Sequence, residues 1–201
     1  MTDASQRRHG LEPTIAELAK RRPVTAGVAI RVRDDLGHVN LRGRAADERF
    51  VAAVEQCLGQ RLPVDPNTCS SGDHCLCWLG PDEWLILTDA GNLPALTTSL
   101  EAALPGLHAA VNEVSGGQLA LELSGPAVRD VFARGCTLDF HPRIFTAGTC
   151  AQSGLAKASV IFALPEAEET FYVVVRRSFA DYLLRWLHDA AAGPGVRIEA
   201  P

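Results

Sequence analysis

The chain has 201 residues, 47% of them hydrophobic, with a formal net charge of −5 at pH 7. That size excludes a disulfide-dependent miniprotein and fits one large domain, or two small and closely joined halves, around a sizeable core. The acidic balance offers no basic face to nucleic-acid phosphates, no apolar run reaches the roughly 20 residues of a membrane helix, and residues 1–8 lack the apolar stretch of a signal peptide, so a cytoplasmic protein with neither nucleic acid nor membrane as partner is expected.

Residues 1–22 read as an N-terminal arm with one short helix, in which Leu11, Ile15, Leu18 and Ala19 fall at helical spacing, Pro13 marks a start and Arg21-Arg22-Pro23 a stop. Val24 to Val32 reads as a strand, and Asp34-Asp35-Leu36-Gly37 as a turn into a second run, His38 to Leu41. Asp47 suits a helix N-cap, Phe50, Val51, Val54 and Leu58 form the buried stripe, and Gly59 ends the helix. Pro63 to Asp73 is a polar loop. Strands follow at Cys75 to Leu79 and Trp84 to Leu87, then a helix from Leu93 to Leu104 and a strand at Val111 to Val114.

The order then recurs. Gln118 to Leu123 is a strand, Ser124-Gly125-Pro126 caps a helix with Ala127, Val128, Val131 and Phe132 facing in, and Ala156 to Leu164 and Thr170 to Val175 pair across Pro165 to Glu169. Ser178 caps a last helix whose inner face is Phe179, Tyr182, Leu183, Trp186 and Leu187, before a short strand at Val196 to Ile198. The expected fold is therefore α+β, two βαββαβ (ferredoxin-like) halves at about 23–114 and 115–201 within one domain spanning 23–201.

Between the helix and strand of the second half, residues 135–157 show neither periodicity, yet carry Phe140, Ile144 and Phe145, which a solvated linker has no reason to hold. An ordered loop is expected, with Phe140 and Phe145 as anchors. Pro142 biases His141 toward extended geometry, and an extended backbone would set Asp139, His141 and Arg143 on one side and Phe140 on the other. Those three polar residues are the candidate contact with a partner, Arg143 offering a planar fork to a carboxylate.

Other chemistry loses to simpler readings. Cys69, His74, Cys75 and Cys77 have the donors of a zinc site, but Cys75 and Cys77 lie two apart in a strand, where thiols are small core residues, so no metal ligand is assigned. Ser115-Gly116-Gly117 precedes a strand rather than a helix and reads as a hairpin turn. Ser124 lacks the pattern of a nucleophile elbow, and a Cys150 and His141 pair lacks a third orienting group. No catalytic and no cofactor-binding residue is assigned.

Leu79 to Leu87 (Leu-Gly-Pro-Asp-Glu-Trp-Leu-Ile-Leu), Leu123 to Pro126, Gly135 to Arg143, Cys150-Ala-Gln152, and Val175 to Tyr182 with Trp186 together resemble the gamma subunit of heterotetrameric sarcosine oxidase, in order, from about Pro23 to Ala190. The resemblance implies the folate-binding fold of the glycine-cleavage T-protein. It implies a flavoenzyme that oxidatively demethylates sarcosine to glycine, giving hydrogen peroxide with formaldehyde or 5,10-methylenetetrahydrofolate. It also implies alpha, beta and delta partners that carry FAD, FMN, NAD, zinc and tetrahydrofolate, while gamma carries no cofactor. Two alternatives remain at this point: a free-standing folate-binding one-carbon transferase, and an iron-sulfur assembly helper, of whose Lys-Gly-Cys-Tyr-x-Gly-Gln motif Cys150-Ala-Gln152 is a faint echo.

Overall fold

The computed structural model describes residues 10–20, 26–167 and 169–199. Its elements in chain order are α1 (Glu12–Leu18), β1 (Val28–Arg33), β2 (Leu36–Arg42), α2 (Glu48–Leu58), β3 (Cys69–Ser70), β4 (Cys75–Gly80), β5 (Glu83–Asp89), α3 (Leu93–Ala103) and β6 (Ala110–Glu113). There follow β7 (Gln118–Ser124), α4 (Val128–Ala133), β8 (Thr149–Leu155), β9 (Ala158–Leu164), β10 (Phe171–Arg176), α5 (Ala180–Ala190) and β11 (Val196–Glu199). The stop expected at Arg21-Arg22-Pro23 and the start of the Val24 strand lie outside the described residues.

Two sheets form, a five-stranded one ordered β3-β4-β5-β2-β6 and a six-stranded one ordered β11-β1-β7-β10-β9-β8. Their residues alternate between two environments, as the pleat requires. In the five-stranded sheet Val39, Leu41, Leu76, Trp84 and Ile86 pack under α2 and α3, while Cys77, Leu85 and Leu87 face the other way. In the six-stranded sheet Leu119, Leu121, Phe162, Phe171 and Val173 pack under α1, α4 and α5, while Ala120, Cys150, Ala163 and Val174 face the first sheet. The molecule is thus an α+β sandwich of four layers, with helices outside and the two sheets back to back.

Local signals explain the helices unevenly. Asp47 caps α2 by accepting from the Arg49 amide at 3.0 Å, and Gly59 ends it at a φ of 66° that glycine adopts without steric cost. Ser124 and Ser178, expected as caps, make no cap bond. Ser124 closes β7, and Ser178 sits in a 3-10 turn at Arg177–Phe179 ahead of α5. Because α5 starts after that turn, its buried side rotates to Leu183, Leu184, Leu187 and His188, and Phe179 is left 41% exposed.

Two strands depart from expectation. β8 occupies Thr149 to Leu155, inside the stretch read as loop, where Gly154 and small polar residues erase the alternation of an edge strand. β1 and β2 follow each other across a two-residue turn without pairing: β1 lies between β7, antiparallel, and β11, parallel, whereas β2 joins the other sheet. The sheets are also stitched at one edge. Cys69 N donates to Gly148 O at 2.8 Å and Cys150 N to Asn67 O at 2.9 Å, with Asn67 and Gly148 both at positive φ.

Candidate functional site

The loop after α4 is held from beneath. Phe140 and Phe145 are buried, and their rings join Phe132, Phe162 and Phe171 with centroids 4.9 to 6.5 Å apart. Arg129, which the sequence reading passed over, pins the same two residues by their backbone. Its guanidinium donates to Phe140 O at 2.6 Å and Phe145 O at 2.9 Å, reaches Glu169 at 3.2 Å, and lies 5.1 Å from the Phe171 ring centroid. An arginine two positions before Val131 on an otherwise apolar helix face was the available signal.

The outer side of the loop is a turn, not an extended strip. His141 O accepts from Ile144 N at 2.8 Å and from Phe145 N at 3.0 Å, so the chain reverses over Pro142 and Arg143. Pro142 takes the second position of a turn, where its fixed φ is an advantage. Asp139 Oδ1 accepts the His141 amide at 2.8 Å, and His141 Nδ1 accepts the Arg143 amide at 3.2 Å. Asp139, His141 and Arg143 are therefore brought together in one exposed turn, but two of them spend side-chain acceptors on the backbone. The Arg143 guanidinium makes no ion pair or hydrogen bond among the described residues, and Ile144 beside it is 63% exposed.

A cleft of about 500 Å³ opens at one end of the layer between the sheets, with Arg33, His74, Cys75, Thr88, Glu166 and Tyr172 on its walls. Arg33 is fully occupied: it holds Asp35 at 2.7 and 2.8 Å, Glu122 at 2.5 Å and Tyr172 Oη at 3.1 Å. The hydrogen bond from Arg33 pulls the Asp35 carboxyl down, and burial pushes the Tyr172 hydroxyl up. His74 is clasped by Gln60 through its own backbone at 3.0 and 3.1 Å, and its Nδ1 lies 2.9 Å from Thr88 Oγ1. Burial lowers its pKa, so it is neutral at pH 7. The cleft thus presents a neutralised cation and a neutral imidazole, and among the described residues on its walls no second cation is left to grip an anion.

The cysteines expected as core residues lie in the layer itself. Cys69, Cys77 and Cys150 are buried there, and Cys75, half exposed, sits with its Sγ 4.0 Å from that of Cys77. Among the described residues no group of three or more His, Cys, Asp or Glu is arranged to hold a metal ion. Cys69 and Cys77 as donors would pull the Cys150 thiol down. Its Sγ, however, lies 3.1 and 3.3 Å from the carbonyl oxygens of Thr68 and Trp78, which only a protonated thiol can use, and burial also favours the neutral form. Ser115 is equally structural, its Oγ accepting the His38 amide at 3.0 Å.

The family described as "Sarcosine oxidase, gamma subunit family" matches residues 42–193. The sarcosine oxidase subunit gamma of Arthrobacter sp is 34% identical over 141 residues, covering 69% of this chain and 68% of that one. That of Corynebacterium sp. (strain U-96) is 29% identical over 194 residues, covering 94% and 93%. A chain of the heterotetrameric sarcosine oxidase from Corynebacterium sp. U-96, solved in complex with pyrrole 2-carboxylate, superposes with a TM-score of 0.85 at 26% identity over 96% of this chain and 99% of that one. The glycine cleavage system aminomethyltransferase T from Bartonella henselae shares the fold at a TM-score of 0.64 and 16% identity, over 92% of this chain and half of its own.

Proposed function

The chain belongs to the sarcosine oxidase gamma subunit family, and from that premise we propose that it is the gamma chain of a heterotetrameric oxidase whose alpha, beta and delta chains carry the chemistry. The observation that carries the reading is the superposition over nearly the whole of both chains with a subunit of a heterotetrameric sarcosine oxidase. FAD, FMN, NAD, zinc and tetrahydrofolate belong, on this reading, to the partner chains. No step of sarcosine demethylation is asked of a residue in this one. The free-standing transferase and the iron-sulfur helper are not favoured, since the family match covers most of the chain. A cytoplasmic location suits six cysteines kept as free thiols.

The two halves are read as ferredoxin-like units. β2, α2, β4, β5, α3 and β6 supply one, with strand order β4-β5-β2-β6, and β7, α4, β9, β10, α5 and β11 supply the other, with β1 inserted between β11 and β7 and β8 added at the edge. The turn at Asp139, His141 and Arg143 is assigned as a contact with the alpha chain. Support comes from its rigid seat on Phe140, Phe145 and Arg129, and from the outward pairing of an unengaged guanidinium with exposed Ile144.

Co-expression with the three partner chains tests the reading. The tagged chain is expected to bring down a flavin-coloured complex that oxidises sarcosine, and alone to show neither flavin absorbance nor oxidation. Flavin held by the purified single chain, or failure to recover any partner, would sink it.

A further inference from the structure

We infer that Cys69 and Cys77 form an oxidisable dithiol, closing to a cross-strand disulfide when the chain meets hydrogen peroxide. The two residues are directly opposed in the β3 and β4 pair, with register Cys69 to Cys77 and Ser70 to Leu76. Trp78 N donates to Thr68 O at 3.0 Å, which makes Thr68 and Trp78 a hydrogen-bonded rung. The next rung, Cys69 with Cys77, is then of the open kind, where Cα atoms stand about 4.5 Å apart and side chains approach most closely. That spacing falls in the range of roughly 4.4 to 6.8 Å that a disulfide spans without backbone movement. Both side chains point into the same layer between the sheets.

The other thiols are less well placed for this bond. Cys75 and Cys77 are two apart on one extended strand, a separation near 6.6 Å at about 3.3 Å per residue, which is the far end of that range, and their Sγ atoms stand 4.0 Å apart with side chains side by side rather than facing. Cys150 touches both members of the pair from the opposite sheet, and its Sγ donates to the carbonyls of Thr68 and Trp78 as the Cys69 Sγ donates to Thr149 O at 3.3 Å, so what sets Cys69 and Cys77 apart is the strand rung they share.

Cys69 reacts first, because β3 is two residues long and Cys69 is 6% exposed against 0% for Cys77. Its sulfur, having lost its proton to solvent, attacks one peroxide oxygen. The O–O bond breaks, one oxygen leaves as water and the other stays as the sulfenic acid. The Cys77 sulfur then attacks that of Cys69, the S–S bond forms, the S–O bond breaks, and a second water leaves with the Cys77 proton. Two thiols lose two electrons in all, and one peroxide is reduced to two waters. The contact each makes with the Cys150 thiol, and then burial, push both thiols above their ordinary range, so closure is slow at neutral pH and accelerates as pH rises or as β3 opens locally.

The chemistry needs only the chain and peroxide; the claim that peroxide arrives from turnover rests on the oxidase reading. The purified complex, and separately the purified chain, is treated with hydrogen peroxide, quenched, alkylated under denaturing conditions and cleaved before aspartates. This puts Cys69 in peptide 65–72, and Cys75 with Cys77 in peptide 73–81. The two peptides should appear joined, in Cys75→Ala as in the native chain and faster at higher pH, and should separate on reduction. Fragmentation of the joined peptides from the native chain shows which of Cys75 and Cys77 carries the alkyl group, so a variant that fails to fold does not decide the matter. Full alkylation of Cys69 and Cys77 after a dose that oxidises Cys75, a link to the peptide holding Cys150, or a link that survives in Cys77→Ala would each overturn the inference. A final arm feeds the complex sarcosine in place of added peroxide. Closure by added peroxide but not by turnover would remove the oxidase as source while leaving the dithiol in place.

Discussion

Arg129 sends its guanidinium to the carbonyl oxygens of Phe140 and Phe145, and among the described residues no other donor reaches either carbonyl beside the aromatic rings. Replacing it with methionine keeps much of the packing but strands those acceptors, and hydrogen bonds to a charged group contribute about 1.5 to 3 kcal/mol each. Arg129→Met should cost about 3 kcal/mol in urea unfolding and speed amide exchange across residues 138–146. Unchanged exchange there would show that the phenylalanines hold the loop unaided. His38 makes a different prediction. It is 2% exposed, neither ring nitrogen has a partner among the described residues, and burial, reinforced by the charge of Arg177, lowers its pKa to about 4. The unfolded chain takes up that proton near pH 6.5 and the folded chain only near 4. Stability should therefore be level above about 6.5 and fall as pH drops toward 4, by up to about 3 kcal/mol at about 1.36 kcal/mol per pH unit. His38→Leu should flatten that slope, and equal slopes for the two proteins would assign the acid sensitivity elsewhere.

At the scale of elements, the turn at Asp139 to Ile144 is rigid beneath and open above. Arg143→Ala should leave the melting temperature of the isolated chain unchanged, since its guanidinium engages nothing among the described residues, and should weaken assembly by about 2 kcal/mol, the scale of a desolvated ion pair losing one member. A drop in melting temperature with normal assembly would make Arg143 an internal brace instead. A fully flavinated complex with no turnover would place this turn at an active site. How far the elements could be read in advance depended on their chemistry. The stripe of α2, its Asp47 cap and its Gly59 end were legible because each is a local signal. The anchors Phe140 and Phe145 were legible as apolar residues in a segment with no periodicity. β8 was not, since Thr-Cys-Ala-Gln-Ser-Gly-Leu gains its strand character from pairing with β9 and from the stitch to Asn67. Arg129 was hidden because its partners are backbone atoms, which a sequence does not display. The turn at Pro142 was hidden because it depends on two hydrogen bonds closing back on His141.

At the scale of the whole molecule, the layer between the sheets combines Leu85 and Leu87 with a run of small side chains, Ala120, Ala163, Val174, Cys69, Cys77 and Cys150. Short side chains let the two sheets approach, and the Cys150 and Ala163 rung lies near the stitched edge. Ala163→Phe should therefore act as a wedge. Overpacking a filled interior costs about 1 to 3 kcal/mol, and part of the strain should appear as loss of the backbone bonds from Cys69 and Cys150, seen as faster amide exchange at those two positions. Destabilisation with both amides still protected would show that the layer yields elsewhere. The placement of β1 bears on time as well as on packing. β1 is made early, yet its neighbours β7 and β11 end at residues 124 and 199, so during synthesis the strand must wait for nearly the whole chain before its slot exists. Contacts so distant in sequence slow folding, because a long loop closes before they form. Residues 36–117, which hold every strand of the five-stranded sheet, should order first, and the six-stranded sheet should close last, when β11 docks beside β1. Pulse-labelled amide exchange during refolding should show β2, β4 and β5 protected well before β1, and a chain truncated before Val196 should leave β1 open on one edge and prone to capture by other strands.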